Sequence, residues 1–150
     1  MKLKNDKCSL TLTLTGYQFP ELANVPYDSN WLNVKLELVH EGEVWSAIDP
    51  ALFTYEVNSL IGWLRGVSAG KYDERHLWFT EPCISFHLSP AEGEPENLVV
   101  ELRHEFRPSW ANQDLDVEFK VKFSLASIDL TRAAQSLENQ LCRYPQRTEH

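Results

Sequence analysis

Strict two-residue alternation of apolar and polar side chains is the strongest constraint on what this chain can fold into. Leu10, Leu12 and Leu14 alternate with Thr11, Thr13 and Thr15; Leu32, Val34, Leu36 and Leu38 alternate with Asn33, Lys35 and Glu37. Ile84, Phe86 and Leu88 follow the same rule, as do Leu98, Val100, Leu102 and Phe106, and then Val117, Phe119, Val121, Phe123 and Leu125. Successive side chains of a strand point to opposite faces, so each segment has one face for a core and one for water. That pattern belongs to antiparallel sheets covered on one side. Shorter strands are expected around 43–48 and 76–80.

Two segments change period. Val57, Leu60, Ile61 and Leu64 fall at helical spacing, which predicts a helix from about Thr54, as its cap, to Arg65, with Gly66 and Gly70 as stop signals. Leu130, Ala133, Ala134, Leu137 and Leu141 predict a second helix from Ser127 or Asp129 to Arg143, with Pro145 just beyond. The expected fold class is α+β. It is a single antiparallel meander sheet of about six to seven strands with two helices packed on one face, in one domain spanning 1–150. No internal repeat is evident. The Pro-, Gly- and Glu-rich run 89–97 reads as a hairpin loop, and residues 146–150 as a fraying end.

Composition narrows the function classes. At 150 residues, 43% apolar and with seventeen aromatics, the chain is long enough for a sizeable core. A net charge of −8 argues against binding to phosphate backbones and would draw a basic partner. The opening MKLKNDKC lacks an apolar run of signal-peptide type, and no stretch approaches a membrane span. Cys8, Cys83 and Cys142 are odd in number and far apart, which suits reduced thiols in the cytoplasm.

Chemistry-bearing motifs are sparse. No GxSxG, HExxH, P-loop or GxGxxG is present, and the five histidines do not fall at ligand spacing along the chain. No metal and no cofactor is therefore expected. His104 falls in the apolar phase of its strand and His40 near the rim of its own. With Asp28 they define the one enzyme reading worth keeping, a small hydrolase with an acid–base site. Asp49, before Pro50, reads as a turn or cap residue, and Cys83 as an inert thiol. Arg103, Arg107, Lys120 and Lys122 interleave with Glu101, Glu105 and Glu118 as a solvated, charge-paired sheet face.

The segment 16–32, GYQFPELANVPYDSNWL, departs from the rest. It joins two clean strands, yet carries four aromatics and two prolines. Phe19 and Pro20 are placed to close one end of the core, and Trp31 starts a strand. Residues free to meet a partner are Tyr27 and Asp28 in this segment, Trp110 in the loop RPSWANQD, and the acidic turns with Glu41 and Glu43 and with Glu92, Glu94 and Glu96.

This segment also carries a resemblance. A strand ending in G-x-Q-Y/F-P, a short gap and then D-x-N-W-L resembles the opening of the WapI family of immunity proteins. Gly16, Gln18, Phe19 and Pro20 match the first part; Asp28, Asn30, Trp31 and Leu32 match the second. FTYEVNSLIGWL, VEFKVKFSL and the closing Tyr144–Pro145 also fit, whereas the 89–97 run and HLWFTEPC do not. The resemblance implies a bacterial cytosolic protein that neutralises the C-terminal toxin domain of a wall-associated polymorphic toxin. It implies a toxin that is a nuclease acting on RNA, often tRNA, bound without catalysis. The other reading left by the residues alone is a binding or accessory module of the same fold with an unknown ligand.

Overall fold

The computed structural model describes residues 1–91, 94–111, 114 and 117–147. The chain runs β1 (Lys2–Lys4), β2 (Cys8–Tyr17), β3 (Trp31–His40), β4 (Glu43–Phe53), α1 (Thr54–Ala69), β5 (His76–Leu77), β6 (Ile84–Ala91), β7 (Glu94–Leu102), β8 (Phe119–Ser124) and α2 (Leu130–Leu141). Short 3-10 turns occupy Asp28–Asn30 and His104–Phe106.

The α+β class and antiparallel pairing agree with expectation; the single sheet does not. The strands form two four-stranded meanders, β1-β2-β3-β4 and β5-β6-β7-β8, each followed by a helix. Alternation fixes which face of a strand is apolar but not which strand is its neighbour, so one sheet and two read alike in sequence. The inner faces of both sheets and one side of each helix contribute to a single apolar core, with Leu10, Leu36, Leu38, Leu60, Leu64, Phe86 and Phe123 fully buried.

Both helical stripes are buried as expected, but their ends differ. Helix α1 runs on past Gly66 to Ala69. Gly70 ends it in the left-handed conformation at φ 69°, and Lys71 N–H bonds back to Gly66 O at 2.8 Å. A Cβ on Gly66 would sit 2.7 Å from Lys71 O, so this glycine permits the chain to turn back closely rather than stopping the helix. Thr54 is not the cap. Glu56 Oε1 accepts from Phe53 N at 3.0 Å, while its Oε2 accepts from Thr80 N at 2.7 Å. Asp129 caps α2, accepting from Arg132 N at 3.0 Å.

Strand β7 ends at Leu102, although the alternation continues to Phe106. The chain then turns at His104, whose φ is +51°. Phe106 is still buried, but His104 is exposed rather than on an apolar face. The expected 89–97 loop is largely strand: β6 and β7 extend to Ala91 and Glu94. Nor does the end of the chain fray from residue 146, because Arg147 is anchored by backbone and side chain.

The solvated face expected for the second sheet is also partly wrong. Glu101 is only 4% exposed and Ser85 is 1% exposed. The 71–83 segment, carrying His76 and Trp78, lies against this face, and Arg103 stacks over Trp78 with 5.8 Å to the ring centroid.

Candidate functional site

The segment 16–31 is held by a buried asparagine. Asn30, 1% exposed, uses its whole amide. Nδ2 donates to Pro26 O at 2.8 Å and Arg147 O at 2.6 Å; Oδ1 accepts from Thr54 Oγ1 at 3.0 Å and Arg147 N at 2.7 Å. An amide has two donors and two acceptor lone pairs, so every one is satisfied. The Arg147 guanidinium packs over the Tyr17 ring, 3.5 Å from its centroid, and donates to Phe19 O and Leu22 O. Trp31 stacks on Phe53 with 3.7 Å between centroids, and Tyr27 leans on the same Phe53 ring while remaining 67% exposed. The aromatic richness of this connection is therefore mostly structural, with Tyr27 its outward part.

Beside it opens a cleft of about 600 Å³ where the two sheets meet. Phe19, Trp31, Pro50 and Pro82 form apolar walls, and the carboxylates of Asp28, Asp49, Glu81 and Glu105 line it with His104 and Cys83. Among the described residues lining it there is no lysine or arginine. Asp49 was expected in a turn or cap. It lies instead inside β4, an edge strand, paired with Val34, and Pro50 follows opposite Asn33 beside a β-bulge, where a proline is tolerated. Burial, then the neighbouring Glu105 and Glu81, push the Asp49 carboxyl above its ordinary range. Burial, then Asp49, push the Cys83 thiol up to about 12. The cleft thus concentrates negative charge at the cost of repulsion among its own walls.

The expected contact residues do not form one surface. Asp28 lines the cleft with Tyr27 beside it in sequence. Glu41 and Glu43 flank the β3–β4 turn, where Glu41 has φ 50° and Gly42 φ 87°. That turn lies at the far end of β3, about 30 Å from Trp31 at roughly 3.3 Å per strand residue. Trp110 docks at the same far end: its Nε1 donates to Val44 O at 2.9 Å and its ring meets Phe119 edge-on. It is a half-buried anchor rather than a free ring. Glu96 is ion-paired with Arg75. Glu92 lies outside the described residues, and so does the side chain of Glu94. His40 packs edge-on against Phe119 at 5.2 Å, so it stands apart from Asp28 and His104, both of which line the cleft.

A second cluster has no counterpart in any spacing along the chain. His76 of β5 lies directly opposite His87 of β6, with ring centroids 4.8 Å apart, and Glu101 of β7 is a diagonal neighbour. Burial, then the adjacent His87, lower the pKa of His76. The signal that would have found these residues is cross-strand register, which the sequence does not print.

The D-x-N-W-L and G-x-Q-F-P residues therefore meet at one structural joint, with Asn30 at its centre. Over residues 2–145 the sequence matches the family described as immunity protein WapI-like. The chain belongs to the WapI-like immunity protein family. No curated protein and no solved structure matches it. In this WapI-like chain Asn30 closes the joint, while Asp28, two residues earlier, turns into the cleft. The two marker residues thus divide between fold and surface. No helix among the described residues is long and apolar enough to cross a membrane.

Proposed function

We propose that this WapI-like protein is a non-catalytic cytoplasmic inhibitor that binds a basic element of a cognate toxin domain in the acidic cleft. The observation that carries this reading is the convergence of Asp28, Asp49, Glu81 and Glu105 on one concavity lined by no lysine or arginine among the described residues. A nuclease must present cations to phosphates, and a cleft of this charge is complementary to such a surface. The apolar walls from Phe19, Trp31 and Pro50 would desolvate an incoming Arg or Lys stem while the carboxylates meet its head. Tyr27, exposed at the edge, supplies the aromatic contact typical of interface hot spots. Glu41 and Glu43, and separately Glu92, Glu94 and Glu96, would make secondary contacts.

The test is co-purification with the toxin domain encoded beside this protein. Affinity is then compared for the native chain and a triple Asp28→Asn, Asp49→Asn, Glu105→Gln variant. Stable association that the variant weakens at least tenfold is the expected result. Absence of association removes the immunity reading. Association untouched by the triple variant keeps immunity but moves the interface to other residues, with Glu41 and Glu43 or Glu92, Glu94 and Glu96 the next to be substituted.

A further inference from the structure

We infer that His76, His87 and Glu101 form a binding site for one divalent transition-metal ion of the zinc class, which fastens the 71–83 segment to the second sheet. The argument is independent of the toxin-binding reading. One ring nitrogen each of His76 and His87 and a Glu101 carboxylate oxygen all lie within 4.8 Å of one another. Ligand atoms around a tetrahedral zinc at about 2.0–2.2 Å are separated by a little over 3 Å, so closing the site requires only small side-chain rotations. His87 Nδ1 and Glu101 Oε1 are already 3.1 Å apart.

The nitrogens point the same way. His76 Nε2 and His87 Nδ1 are both buried and have no hydrogen-bond partner. The His87–Glu101 approach is close, but it lacks hydrogen-bond geometry. A buried polar atom left unpaired costs of order 1–3 kcal/mol, and two on facing residues are uncommon in a native fold. An ion between them satisfies both. A charged His87–Glu101 pair would satisfy only one and would leave His76 Nε2 orphaned.

The surroundings suit ligation. Glu101 Oε2 accepts from Arg103 Nη2 at 2.5 Å and from Ser85 Oγ at 3.5 Å. These bonds leave Oε1 facing His87, the outer-shell arrangement that orients metal ligands. Two imidazoles and one carboxylate suit an ion bound by nitrogen rather than Ca²⁺ or Mg²⁺, whose sites need several oxygens. Trp78 stacks on His76 at 3.7 Å and fixes the ring plane. Strand β5 is only two residues long. A metal staple gives that short strand an attachment its two backbone pairings alone do not.

The experiment uses the full chain, stripped with EDTA and titrated with Zn²⁺ by calorimetry and with Co²⁺ by visible absorption. One ion per chain and the intense absorption of tetrahedral Co²⁺ are expected. His76→Ala and Glu101→Gln should each weaken binding by about tenfold or more, since losing even an outer-shell partner costs that much, and His40→Ala should leave it unchanged. Circular dichroism checks folding. Should Glu101→Gln unfold, His76→Ala decides, since β5 sits at a sheet edge and contributes little to the core. No saturable binding by the native chain overturns the inference, as does undiminished binding by folded His76→Ala.

Discussion

Asn30 and Arg147 hold each other by a reciprocal pair of hydrogen bonds, Nδ2 to Arg147 O at 2.6 Å and Arg147 N to Oδ1 at 2.7 Å. Residues 117 positions apart are thereby joined beneath the loop that carries Tyr27 and Asp28. We expect Asn30→Ala to destabilise the fold by about 2–4 kcal/mol, because it strands Thr54 Oγ1 and Arg147 N and leaves a void. Urea denaturation measures the loss. Limited proteolysis should show earlier cleavage after Leu141 and within 18–29. A change below about 0.5 kcal/mol would mean the joint is not what secures the loop.

Asp49 should show a trade between stability and binding. Its carboxyl titrates above the ordinary range in the folded chain, first through burial, then through Glu105 and Glu81. The favourable contribution of its protonated form is complete below the unfolded pKa near 3.8 and is lost as pH rises through the folded value. Asp49→Asn should therefore be more stable than the native chain at pH 7, by roughly 0.5 kcal/mol or less given the partial exposure. That advantage should vanish toward pH 3, while toxin affinity at pH 7 falls. Thermal melts across pH, set beside binding, test both signs.

Glu56 is asked to do two jobs with one carboxylate. It caps α1 at Phe53 N and holds Thr80 by both backbone and hydroxyl. Glu56→Ala should cost about 2–3 kcal/mol, whereas Glu56→Gln, which keeps one acceptor, should cost less. Equilibrium unfolding of the two variants ranks them; an equal cost would indicate that packing rather than these bonds is responsible.

The thiols should separate cleanly. Burial raises Cys8 to about 11, and burial followed by Asp49 raises Cys83 to about 12, whereas Cys142 is exposed. At pH 8 iodoacetamide should add one label quickly, at Cys142, and the other two only after unfolding. Mass spectrometry resolves the adducts, and rapid labelling of Cys83 would show that the cleft opens more readily than its geometry indicates.

Much of the fold was legible because its cause is local. The leucines of β2 and β3 and the stripes of α1 and α2 are buried as their spacing requires. The candidate site was legible only in pieces. Asp28 could be singled out from its segment. Asp49 reads as a turn or cap residue and Glu105 as a charge-paired surface residue, and Glu81 carries no signal of its own, until the sheets are set against each other. His104 was misplaced because a left-handed turn interrupts an alternation that the side chains alone appear to continue through Phe106.

The sequence by itself determined the faces of the elements, the helix positions and the family marker, since backbone period and turn chemistry act between near neighbours. Tertiary structure alone decided that there are two sheets rather than one, that Glu101 is buried, that His76 meets His87, and that four carboxylates share a cleft. Each of those depends on which strands pair and in what register, and register is selected by the burial of the whole core rather than by any short stretch of chain.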